Sequence, residues 1–138
     1  MSKVRMSTEI PVPADQLWSL IGGFNALPDW HPTVEKSELQ GEQGTVRKLT
    51  LAGGGQLVER LVSANDKERV YTYEIVNGPL PVMNYKATIK VSENEDGSSS
   101  IVEWSSEFEP VAIETDAVKA IQGIYQTGFE NLRKIFGG

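Results

Sequence analysis

The chain has 138 residues, 13 basic against 19 acidic, a net charge of −6, and no cysteine. That length points to one domain, residues 1–138, able to bury about two-thirds of its unfolded surface. Its acidity and scattered Lys/Arg speak against nucleic-acid binding, which needs a basic face, and the lack of cysteine excludes disulfides and thiolate metal sites.

Residues 1–10 alternate weakly (Val4, Met6, Thr8, Ile10) and are predicted as a first strand ended by Pro11 and Pro13. Leu17, Trp18, Leu20 and Ile21 then recur at helical spacing behind Pro13 and Asp15, and Gly22 and Gly23 break that helix. A second short helical turn is expected over 24–28, leading into Asp29, Trp30, His31 and Pro32. Six strands follow, predicted at 34–39, 45–51, 56–63, 70–76, 85–91 and 101–109, joined by turn chemistry at 41–44, 53–55, 65–66 and 96–97. The connection 77–82 differs: it holds two prolines with Leu80 and Val82 where a plain hairpin uses polar residues. Last, Val118, Ile121, Ile124, Tyr125, Phe129, Leu132, Ile135 and Phe136 line one side of a long helix over 115–136, with Thr115 as the expected cap. The order is β-α-α-β₆-α, an α+β fold without room for parallel crossovers. A long amphipathic helix after such a meander must lay its apolar side on the sheet, and a curved sheet under that lid encloses a pocket. No apolar run approaches a membrane span, and 1–13 lacks the apolar core of a signal peptide, so stable membrane insertion is not expected and a cytoplasmic location is.

Alternation assigns the faces. Tyr71, Tyr73 and Ile75 share one side. So do Tyr85, Ala87, Ile89 and Val91, and so do Val102, Trp104, Ser106 and Phe108. Leu57, Glu59 and Leu61 are also assigned inward, which puts a carboxylate among apolar groups at a cost of about several kcal/mol unless it is paired, protonated or wet.

With its order of elements and an opening at 14–21 of the same type, the chain resembles the helix-grip superfamily over its whole length. That group includes START lipid-binding domains, polyketide cyclase/dehydrase-like bacterial proteins, the birch-pollen allergen and plant abscisic-acid receptors; the bacterial cyclase-like, lipid-transport branch is the nearest in type. The resemblance implies a curved seven-stranded antiparallel sheet wrapped around the C-terminal helix. At residue level, Gly53, Gly54 and Gly55 before Glu59-Arg60-Leu61, and Asn84-Tyr85-Lys86 after the 77–82 loop, resemble the hormone receptors' two loop motifs. This implies that Glu59 and Tyr85 face a ligand; Lys36-Ser37 matches a cavity lysine more weakly. The receptors' Ser-Gly-Leu-Pro and His-Arg-Leu motifs are absent, so hormone sensing and phosphatase partnership are not implied.

Glu59 has two readings: a group that orients a ligand hydroxyl or moves a proton, or a partly wet glutamate paired with Lys36 or Arg47 at the sheet margin. Lys36 either meets an anionic ligand head or is a solvated strand lysine. Tyr73 and Tyr85 offer apolar walls with a hydroxyl at the tip, against plain core packing. Trp104 is expected on the cavity floor. His31 reads as a core residue more than a catalyst, since no serine or cysteine motif accompanies it. Gly128, on the stripe of Ile121 and Tyr125, either leaves room for ligand or permits close helix–sheet contact. The glycines at 53–55 form a flexible hairpin, not a phosphate cradle. One histidine without a carboxylate cluster supports no metal, and no cofactor is implied.

The leading expectation is a carrier or sensor of a hydrophobic or lipid-like small molecule, in a pocket of roughly 300–1,000 Å³, as a monomer or homodimer. Lys36, Glu59 and Tyr85 would orient the ligand; Tyr73, Ile75, Leu80, Ala87, Trp104, Phe108, Ile121, Tyr125 and Gly128 would line the pocket. The alternatives are a cyclase/dehydratase-like enzyme using Glu59 or Tyr85 for proton transfer, and a protein-interaction module acting through the 77–82 loop.

Overall fold

The computed structural model describes residues 1–137. Its elements are β1 (Ser2–Ile10), α1 (Ala14–Ile21), α2 (Leu27–Trp30), β2 (Val34–Gln40), β3 (Val46–Leu51), β4 (Gln56–Asn65), β5 (Val70–Asn77), β6 (Val82–Glu93), β7 (Ser100–Pro110) and α3 (Glu114–Phe136). The strands form one antiparallel sheet in the order β1-β7-β6-β5-β4-β3-β2. Only the step from β1 to β2 leaves the meander, and α1 and α2 fill it. The sheet curves around α3, which contacts β1, β7 and α2. This is the helix-grip fold.

α3 forms because its apolar residues repeat at helical spacing and bury Ala117, Ile121, Tyr125, Phe129 and Leu132 on one side. Each large side chain buried this way contributes about 1.5–3 kcal/mol. Two local expectations are corrected. Thr115 lies inside the first turn, and Ile113 holds the cap position without a side-chain hydrogen bond. The second helix begins near Pro28 instead of ending there, because proline's fixed φ suits a helix's first turn and its missing N–H costs nothing in that position.

The inward set on β5, β6 and β7 is as the alternation predicts: Tyr71, Tyr73, Tyr85, Ala87, Ile89, Val91, Val102, Trp104 and Phe108 are buried. Facing solvent, one line of cross-strand neighbours runs Lys3, Glu107, Lys86, Glu74, Arg60 with alternating sign. Two of its pairs close, Lys3–Glu107 at 3.5 Å and Arg60–Glu74 at 2.6 Å. Opposite charges on directly facing positions favour this register over a shifted one.

Bulges bend the sheet at the end where the 77–82 connection lies. Val58 pairs Asn77 while Glu59 pairs Ile75, which leaves Val76 as an extra residue in β5. Met83 pairs Glu109 while Lys86 pairs Glu107, so Asn84 and Tyr85 together oppose Phe108. Asn84 takes a left-handed conformation (φ 53°) to do this, which asparagine tolerates better than most residues. At the bulge Tyr85 faces inward and Asn84 stays outside, where its amide donates to Glu109 at 2.9 Å.

Candidate functional site

The site starts from the β3–β4 hairpin. Its turn uses Gly53, Gly54 and Gly55, all at positive φ, and its register sets Arg47 opposite Glu59 and Leu49 opposite Leu57. All four point inward. Arg47 is 0% exposed and Glu59 4%. Arg47 Nε donates to Glu59 Oε1 at 2.8 Å, and Nη2 lies 2.7 Å from the same oxygen. Arg47 Nη1 donates to the Phe24 carbonyl at 2.6 Å, and the guanidinium sits 4.2 Å from the centre of the Phe24 ring. Burial pushes the Glu59 carboxyl up, with Arg47 pulling against it. Burial alone would weaken the charge on Arg47, but the neighbouring Glu59, Tyr71 and Tyr73 prevail and hold its pKa above the ordinary value. Both contacts from Arg47 fall on Oε1; Oε2 accepts no hydrogen bond among the described residues.

A second polar group runs beside it. Trp104 Nε1–H donates to the Tyr73 hydroxyl at 3.0 Å. The Tyr73 and Tyr85 hydroxyls lie 3.3 Å apart, and those of Tyr85 and Tyr125 2.5 Å. Trp104 stacks on Tyr125 with ring centres 4.2 Å apart. Burial raises the pKa of Tyr73, Tyr85 and Tyr125, so these hydroxyls keep their protons.

His31 ends α2 and is 2% exposed. Burial lowers its pKa, against the Ile124 carbonyl. The neutral ring therefore donates from Nε2 to the Ile124 carbonyl at 2.7 Å and accepts the Thr33 N–H on Nδ1 at 3.3 Å. Both nitrogens are occupied by backbone, which matches the core reading of this residue.

Between sheet and helix lies a cavity of about 120 Å³. Its walls are mostly aliphatic: Leu27 and Val34, Leu49 and Leu51, Leu57, and Ile124 from α3. Six of the residues expected at the ligand line it, namely Glu59, Tyr73, Ile75, Leu80, Tyr85 and Trp104. The volume is well below the expected range, because aromatic side chains fill the space around α3.

The other six lie elsewhere. Lys36 is turned to solvent and pairs with Glu38 at 2.6 Å. A bulge at Glu35 shifts the alternation in β2, and it is Ser37 that reaches the helical side, donating to Asn25 at 2.7 Å. Gly128 leaves no room for ligand. A Cβ there would lie 2.9 Å from His31 Cδ2 and 3.0 Å from Trp30 Cζ3, so the close-contact explanation holds. Ala87, Phe108, Ile121 and Tyr125 are buried in the core around the cavity and not in its wall.

Arg47, which the strand pattern offers only as one of two partners for Glu59 at the sheet margin, is fully buried and forms the pair. A signal existed: in a hairpin turning at the three glycines, positions 47 and 59 face each other with opposite charges. Nothing in the sequence placed Leu27, His31, Thr33 or Ile124 at the cavity, since their approach depends on how α2 and α3 pack.

The sequence matches, over residues 1–137, the family described as polyketide cyclase / dehydrase and lipid transport. Among solved structures, the protein XoxI from Bacillus cereus is 45% identical and superimposes with a TM-score of 0.95, covering 99% of this chain and 96% of that one. MLP-like protein 423 of Arabidopsis thaliana is 28% identical over 141 residues, covering 94% of this chain and 90% of its own. An abscisic acid receptor of the same plant is 30% identical over 99 residues, 66% of this chain and 52% of the receptor. The chain belongs to the polyketide cyclase / dehydrase and lipid-transport family, within the helix-grip superfamily.

Proposed function

We propose that this protein binds one hydrophobic or lipid-like small molecule, as a carrier or sensor, with residues 1–138 acting as one unit. The supporting observation is the apolar cavity under α3, whose lining includes Glu59, Tyr73 and Tyr85. Glu59 Oε2 is the acceptor for a ligand donor, and the tyrosines supply O–H groups in return. Ile75, Leu80 and Trp104 form apolar wall. In this reading the protein works in the cytoplasm as a monomer or homodimer. Among the described residues, no helix is long and apolar enough to cross a membrane. The similarity to an abscisic acid receptor supports the binding role.

Native mass spectrometry of freshly purified protein, followed by organic extraction, tests this. A stoichiometric hydrophobic compound is expected. A clean apo mass, together with no change in tryptophan emission on titration with a panel of small hydrophobes, would refute it, because Trp104 lies in the cavity wall.

The catalytic reading keeps one specific support: Glu59 and Tyr85 line the same cavity, and burial raises the Glu59 carboxyl, which favours proton uptake. Turnover of a polyketone by the wild type that survives both Glu59→Gln and Tyr85→Phe would remove these residues from it. The interaction-module reading is weakened, because Leu80 lines the interior cavity instead of standing free on the loop.

A further inference from the structure

The sheet is open at one point. Pairing between β5 and β6 stops at Glu74 and Lys86. Beyond it, β5 remains held to β4 through Ile75 and Asn77, and β6 remains held to β7 through Val82 and Met83. The two strands diverge while each keeps its outer neighbour. The bulges at Val76 and at Asn84 and Tyr85 lie on opposite sides of this gap, where each bends its own strand. The outcome is a seam whose backbone groups are unpaired across β5 and β6.

A groove of about 690 Å³ occupies the seam. Residues from both faces of the sheet line it: Glu74 and Lys86 from the solvent face, Ile75 and Tyr85 from the interior. Ile75, Leu80 and Tyr85 also line the 120 Å³ cavity within. Three side chains therefore stand between an apolar interior space and a larger polar one outside. The cations of the groove exceed its anions: Arg60 is spent on Glu74 at 2.6 Å, while Lys86 makes no ion pair among the described residues.

We infer that the ligand is an amphipath threaded through this seam, its apolar end in the inner cavity and an anionic or hydrogen-bond-accepting head in the outer groove. This deepens the carrier reading and rests on it. The inner cavity is slightly smaller than one of about 150 Å³ that admits benzene, so it suits an apolar end of roughly six carbons. The head meets Lys86 at the mouth of the seam. Ile75, Leu80 and Tyr85 select for a narrow neck between the two ends.

The test is titration of the ¹⁵N-labelled full chain with 1-hexanol, hexanoate and hexylammonium, followed by amide shifts. Threading predicts that signals of the inner wall (Leu49, Leu57, Ile124) move with all three probes. Signals of the seam (Val76, Asn77, Met83 to Lys86) would move with a size that depends on the head. Hexanoate should bind about threefold tighter than hexylammonium, the scale of one exposed charge pair, and Lys86→Gln should abolish that preference. Inner-wall shifts with a silent seam and equal affinities would overturn threading and leave the carrier reading intact. Seam shifts alone would also overturn it, as would a preference unchanged by Lys86→Gln. A silent inner wall with every probe would remove the carrier reading as well.

Discussion

Replacing Arg47 by Met leaves the Glu59 carboxylate buried without its partner. In the wild type two guanidinium nitrogens lie 2.8 and 2.7 Å from one carboxylate oxygen, in an environment almost closed to water. At an effective dielectric of about 20, a contact of this length is worth about 6 kcal/mol of attraction. Most of that only offsets the desolvation of the two ions, so the pair adds little net stability. Removing one member is different, because the cost of burying the other remains: the single variants Arg47→Met and Glu59→Leu should each lose about 3–5 kcal/mol. The double variant should return to within about 2 kcal/mol of wild type, the residue of the deficit being the Phe24 carbonyl that Arg47 no longer satisfies. Urea denaturation monitored by circular dichroism measures all four proteins. There is also a pH signature. Glu59's folded pKa is raised by burial, and loss of Arg47 raises it further. A group whose folded pKa lies above its unfolded value contributes stability below the unfolded value and loses it as pH rises. The Arg47→Met deficit should therefore shrink from pH 7 to pH 5, by up to about 1.4 kcal/mol per unit. A single-variant loss below about 1 kcal/mol would refute the reasoning, set against the usual cost of breaking a buried pair. So would a double variant no more stable than Arg47→Met.

Three further outcomes are expected. His31 has a folded pKa below its unfolded value, so its contribution is present above about pH 6.5 and is lost as pH falls, when a proton on Nδ1 would confront the Thr33 N–H. His31→Gln should flatten the stability–pH curve between pH 6.5 and 5, and a slope equal to wild type in urea melts would contradict the assigned ring state. Gly128→Ala should cost about 1–3 kcal/mol by overpacking, since the new Cβ meets His31 and Trp30 within 3.0 Å. Gly123→Ala, with nothing within 4 Å, should gain about 0.5–1 kcal/mol from helix propensity; thermal melts yielding the same sign for both would be wrong for this packing. Tyr125→Phe leaves the Tyr85 hydroxyl without its 2.5 Å partner and should cost about 1–3 kcal/mol, readable in the same melts.

Much of the fold was legible because curvature and burial leave periodic marks. The period-two runs of β5, β6 and β7 and the helical stripe of α3 follow directly from which side must be dry. Glu59 was legible as an inward carboxylate for the same reason. What alternation cannot see is an inserted residue. The bulge at Glu35 put Lys36 outside, whereas Tyr85 keeps the period of Ala87, Ile89 and Val91 and the bulge at Asn84 only breaks the pattern before it. Gly128 shows a different limit, since space and contact produce the same glycine in a sequence.

The order of elements, the inward faces of β5, β6 and β7 and the presence of one buried acid follow from local periodicity and from hairpin pairing of chain neighbours. Tertiary structure alone decided the size of the cavity, the tautomer of His31 and the opening between β5 and β6. These depend on how distant aromatic rings share the space under α3, and on two bulges whose combined effect appears only when both strands lie side by side.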